Sequence, residues 1–206
     1  GAVFADGIRL GERPGDRVHF GAAHANRTWL WSKRGEVEQN ANDLRIVIQV
    51  ARENGQASLE RIGTYNLAED RLWQGALDEA LQLARRSLAI QRGHGEGDDN
   101  LDLVLLARVL AAKGDREELA TILALLATEE LPDADRRALA VLACVRDRAP
   151  HEAWQSALAD TEDLSSELRL ELAHLAIRDG HLEPQLRDHM REVARLHPIW
   201  ARRSEL

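Results

Sequence analysis

The sequence predicts an all-α fold, a solenoid of about five helical hairpins behind a leading helix. Two observations carry this prediction. Strand signals are nearly absent: Phe and Tyr total three, and alternating Val/Ile/Thr runs are missing. The chain also resembles itself after a shift of 40 residues, and self-similarity at a period of roughly 20 to 50 residues marks a solenoid. Only "RVHF" (17–20) looks extended, and it sits beside a better helical pattern.

The elements follow in order: a leading helix at about 2–13, hairpins at 17–53, 57–92, 99–128, 133–161 and 164–197, and a tail at 198–206. The second hairpin shows the logic best. Leu77, Ala80, Leu81, Ala84 and Leu88 form one helical face, and Ile62, Leu67, Ala68 and Leu72 form another before it. Gly75 lies between them. Glycine inside a helix costs about 1 kcal/mol relative to alanine, but it suits the left-handed residue that ends one. The segment therefore reads as helix, tight turn, helix. Shifting by 40 residues maps Asn66 onto Asn26, Gly75 onto Gly35, Leu88 onto Ile48, Ile90 onto Val50, and Gly95 onto Gly55 and then Gly15. Later copies are eroded, with turns expected at Gly114, near Ala149-Pro150, and at Gly180. Pro198 stops the last helix, and Trp200 is expected to fold back as a cap, the other reading being that it binds another domain. The chain opens inside the second helix of a hairpin, on "AVFADGIRL", which lacks the polar face of a solenoid cap. The expectation is a single solenoid domain over 1–206, cut from a longer protein.

Composition narrows the function. An apolar fraction of 44% and a charged fraction of 30% suit a soluble globular chain. No apolar run approaches the roughly 20 residues needed to span a bilayer. Cys144 is the only cysteine, which excludes an intrachain disulfide and a Cys-based zinc site and fits the reducing cytoplasm. A formal charge of -8 argues against direct nucleic-acid binding. The cations are 25 Arg against only Lys33 and Lys113, which reads as the codon usage of a GC-rich, bacterial genome.

At "YNLAEDRLWQGALDEALQLARRSLAI" (65–90) the chain resembles the tetratricopeptide repeat. The resemblance rests on Asn66-Leu67-Ala68 in the first helix, Gly75 at the turn, Asp78-Glu79-Ala80 opening the second helix, and Ser87-Leu88 near its end. The long period is similar to that of MalT-like regulators and kinesin light chains. The resemblance implies a right-handed α-α superhelix whose first helices line a concave groove for a protein or peptide. Carried onto this sequence, the groove-lining residues are Trp29, Lys33, Tyr65, Glu69, Leu72, Trp73 and Arg108. The paired groove lysines of members that bind chaperone tails are missing. The implied role is the sensor or interaction module of a larger bacterial signalling or transcription regulator, whose other domains are partners too. The rival is a constitutive scaffold that self-associates through its open N-terminal face.

Other chemistry finds little footing. His174, His181 and His189 are spaced by seven and eight residues, unlike the three- or four-residue spacing of helical metal ligands, so no metal and no cofactor is expected. "GHGEGDDN" (93–100) follows a helix and lacks a phosphate-loop lysine; it reads as an inter-repeat loop. Cys144 lies in a buried-looking helix, no nucleophile elbow appears, and Glu129-Glu130 reads as solvated charge at a helix end, so no enzymatic activity is expected. The solenoid reading has a direct test in solution scattering. A compact chain of this length would have a radius of gyration near ~17 Å, whereas a solenoid should give roughly 19 to 22 Å.

Overall fold

A computed structural model describes residues 17–94, 97–161, 163–181 and 184–196. Ten helices run through them: α1 Arg17–Arg34, α2 Val37–Glu53, α3 Ala57–Trp73, α4 Leu77–His94, α5 Asn100–Lys113, α6 Arg116–Leu126, α7 Asp133–Asp147, α8 His151–Ala159, α9 Ser166–Arg178 and α10 Pro184–Leu196. The described residues contain no strand, and "RVHF" opens α1. The fold class is therefore all-α, with two helices in each segment that the sequence reads as a hairpin. The expected leading helix at 2–13 and the tail at 198–206 lie outside the described residues.

Left-handed glycines make the tight turns. Gly35, Gly75, Gly114 and Gly180 have φ of 64°, 79°, 76° and 81°, a region that side chains resist by roughly 1–2 kcal/mol. Each of the four joins the two helices of one hairpin, and Gly55 (φ 66°) links one hairpin to the next, between α2 and α3. The turn between α7 and α8 differs: Arg148 takes the left-handed conformation (φ 50°), and Pro150 caps α8 in extended geometry. Side-chain caps start α6 and α9, where Asp115 accepts from Glu118 N–H and Ser165 from Leu168 N–H.

The chain divides into two compact units. The first comprises residues 1–71 and 78–99. Here α1 packs along α2, and Ala41, Leu44 and Ile48 of α2 form a core with Leu67 of α3, against which Leu83 of α4 rests. Small residues set the close approach: Ala41, Ala68, Ala80 and Ala84 are fully buried. Gly63 marks a close crossing of α3 against α2. A Cβ there would stand 3.0 Å from Ile48 Cγ1 and 3.4 Å from Val47 Cγ1. Overpacking of this kind costs about 1–3 kcal/mol. Gly63→Leu is expected to lose that much stability in denaturant titrations, with its helix content retained at low denaturant.

The second unit comprises residues 72–77 and 100–206. Its packing order is regular. Helix α5 meets α6 and α7, α6 meets α7, α7 meets α8 and α9, α8 meets α9, and α9 meets α10. Each first helix thus touches its own second helix and the first helix of the next hairpin. Helix α5 is buried on every side from Asp102 to Ala111, as a helix enclosed by neighbours should be.

Candidate functional site

The groove residues expected from the sequence meet different fates. Trp29 and Lys33 lie on α1, but their side chains fall outside the described residues. Tyr65 and Glu69 are half-buried on α3 and present part of their surface, beside exposed Asn66 and Ile62. Leu72 is only 2% exposed and belongs to the core. Trp73 is half-buried and donates its indole N–H to Glu171 Oε2 at 2.8 Å. Arg108 is 5% exposed. Its Nε donates to Glu171 Oε1 at 2.9 Å and its Nη2 to Oε2 at 2.6 Å.

Glu171 of α9, which the sequence did not connect with Trp73 or Arg108, is itself 3% exposed. Both its oxygens are engaged by a guanidinium fork and an indole, the geometry that most favours a carboxylate. Asp135 of α7 lies in the field of the same guanidinium. Burial pushes its carboxyl above the ordinary value, and the Arg108 charge only partly offsets this. At the far end of α9, Arg178 Nη1 donates to the carbonyls of Ala111 and Ala112 at 2.8 Å each. These are C-terminal carbonyls of α5, which have no partner within their own helix.

The first unit holds a local counterpart. Asp43 of α2, 1% exposed, accepts from His24 Nδ1 at 2.8 Å, Arg27 Nε at 2.5 Å and Trp31 Nε1 at 2.7 Å. Arg27 also lies 5.4 Å from the Trp31 ring centroid, within cation–π range. Burial raises the Asp43 pKa, but the bonds from Arg27, His24 and Trp31 outweigh it and hold the carboxyl at about 2. All three donors come from α1 at helical spacing, so this cluster locks one hairpin shut.

An open cleft of about 590 Å³ lies elsewhere in the first unit, lined by Ala25, Asn26, Gly55, Gln56, Ala57, Ser58, Leu59 and His94. Its floor is the start of α3, where the first helical bond runs from Glu60 N–H to Gln56 O. Nothing in the sequence signalled it, because the middle of α1, the start of α3 and the end of α4 make it together.

Among the described residues, no group of three or more His, Cys, Asp or Glu could hold a metal ion. His181 instead stacks on Trp154 with ring centroids 5.4 Å apart, and His151 stacks on His181 at 6.1 Å. The His189 side chain and Glu183 lie outside the described residues. Cys144 is buried, and burial raises its thiol pKa, which disfavours the reactive thiolate. No described helix is long and apolar enough to cross a membrane. No protein-family model matches the chain, and no curated protein or solved structure gives a significant match.

Proposed function

We propose that this chain is a partner-binding scaffold of tetratricopeptide type, a right-handed stack of hairpins whose first helices offer a face to a protein or peptide. The observation that supports the reading best is the packing order of the second unit. First helices α5, α7 and α9 lie in a row, and each second helix wedges against the next first helix. Neighbour-to-neighbour packing in this order is how a solenoid propagates; here α9 also reaches past α7 to α5 through Glu171 and Arg178. Within the first unit, the half-buried Tyr65 and Glu69 with exposed Asn66 give α3 a mixed polar and aromatic surface of the kind that partners use. In this reading the module works in the cytoplasm as the sensing or docking part of a larger bacterial regulator.

Affinity capture from bacterial lysate tests it, with Tyr65→Ala/Glu69→Lys run beside wild type after circular dichroism shows that the variant folds. A protein retained by wild type and lost from the variant is the expected result. Retention lost instead from an Asn26→Arg/Ser58→Arg variant would move the site to the cleft. Nothing retained by wild type would overturn the reading.

A further inference from the structure

We infer that Asn54-Gly55 is a modification site: Asn54 loses its side-chain amide to solvent when the α2–α3 turn opens, and the product hinders the turn from closing again. The inference stands apart from the proposed function and needs no partner.

Of the six asparagines, Asn54 alone precedes a glycine. In that setting the amide nitrogen of the next residue attacks the asparagine side chain. The nitrogen gives up its proton to hydroxide and bonds to Cγ. The Cγ–Nδ2 bond breaks, and ammonia leaves with a proton from water. Water then opens the cyclic imide at either carbonyl and leaves aspartate or isoaspartate at position 54. No oxidant or reductant takes part. Glycine favours the step because no side chain hinders its nitrogen. The surroundings add no hindrance either: both residues are exposed, and a Cβ on Gly55 would meet no atom within 4 Å.

The closed turn blocks the reaction in three ways. Gln56 N–H donates to Ala51 O at 2.8 Å and Gly55 N–H to Arg52 O at 3.2 Å, the paired bonds that end a helix on a left-handed residue. The attacking nitrogen is therefore engaged as a donor. Asn54 Nδ2 donates back to Val50 O at 2.6 Å, which holds the side chain along α2. The ring also needs Cβ and the Gly55 nitrogen eclipsed about the Cα–C bond, and a ψ of 8° turns them apart. All three restraints are released together by a local opening of the turn.

The product cannot restore these bonds. Aspartate has no amide to offer Val50 O, and it sets a negative charge at the negative end of the helix dipole. Isoaspartate lengthens the main chain by a methylene just before Gly55. The turn after α9 shows what an acid needs in this place. There Asp179 precedes Gly180 with the same pair of backbone bonds, and Arg178 Nε binds its carboxylate at 2.8 Å. Before position 54 stands Glu53, and Arg52 is paired with Glu60 at 3.0 Å. Gly55 and Gln56 also line the open cleft, whose lining residues include no acid. The modification thus brings a negative charge to the rim of that cleft.

The test ages the whole chain in mildly alkaline buffer, with and without urea. Trypsin releases residues 53–61, and mass spectrometry reads the gain of one mass unit in that peptide. Conversion at Asn54 is expected to run at least about tenfold faster in urea, because protection follows the free energy of opening the turn. Exposed Asn42, which precedes Asp43, is expected to convert more slowly than Asn54 in urea. Aged chain, separated from fresh chain by its added negative charge, is expected to melt at a lower temperature, as is Asn54→Asp. Asn54→Gln, whose longer side chain closes a ring far more slowly, should stay unmodified. Equal rates with and without urea would overturn the gating. Asn42 converting as fast as Asn54 in urea would overturn the site. Aged chain that melts where fresh chain does would overturn the hindrance to closure.

Discussion

Replacing Asp43 by alanine is expected to lower stability by about 3–5 kcal/mol, the usual consequence of breaking a buried ion pair from one side. The substitution leaves the Arg27 guanidinium, the Trp31 indole and His24 aimed at a position that no longer accepts. The pH dependence follows from the sign of the shift. The Asp43 pKa falls from an ordinary 3.8 to about 2 in the folded chain. Its contribution is therefore fully present above about pH 4 and is lost as the pH falls through about 2. Denaturant titrations of wild type and Asp43→Ala should differ most near neutrality and converge in acid. A gap that stays constant down to about pH 2 would show that the carboxylate charge is not what holds α1 to α2.

Trp154 offers the second large effect, again about 3–5 kcal/mol on truncation to alanine. It is fully buried in α8 and carries His181 against its ring. Its Nε1 is buried without a hydrogen-bond partner among the described residues. Trp154→Phe removes that unpaired donor while retaining most of the apolar ring, so it should cost less than half as much as Trp154→Ala. Unfolding midpoints of the two variants check this. Equal losses would mean that the indole N–H has an acceptor.

The contrast between these residues explains what was legible in the sequence. Helix positions could be read because apolar periodicity and glycine placement are local signals. Gly35, Gly75, Gly114 and Gly180 all take the left-handed conformation that their spacing suggested. The polar hubs could not be read the same way. His24, Arg27 and Trp31 share one stripe of α1, yet a polar stripe usually means solvent, and nothing local names Asp43 as its counter-charge. Arg108 is the instructive residue. A lone arginine in the apolar run of α5 resembles a groove contact, but the burial of that run also demands an ionic partner. The partner, Glu171, lies 63 residues away, beyond any pattern of spacing. The resemblance puts Leu72 among the groove residues, whereas its place on the apolar face of the first helix makes it core.

Arg148 shows that a left-handed turn does not depend on glycine. At the α7–α8 turn the left-handed residue is an arginine, not a glycine, and its Ala149 N–H still closes onto Cys144 O at 3.0 Å. The backbone enforces the bend, and the side chain merely tolerates it at roughly 1–2 kcal/mol. A tight turn between two helices can therefore form without the glycine that would advertise it in the sequence, and a reading that counts only glycines would pass over it.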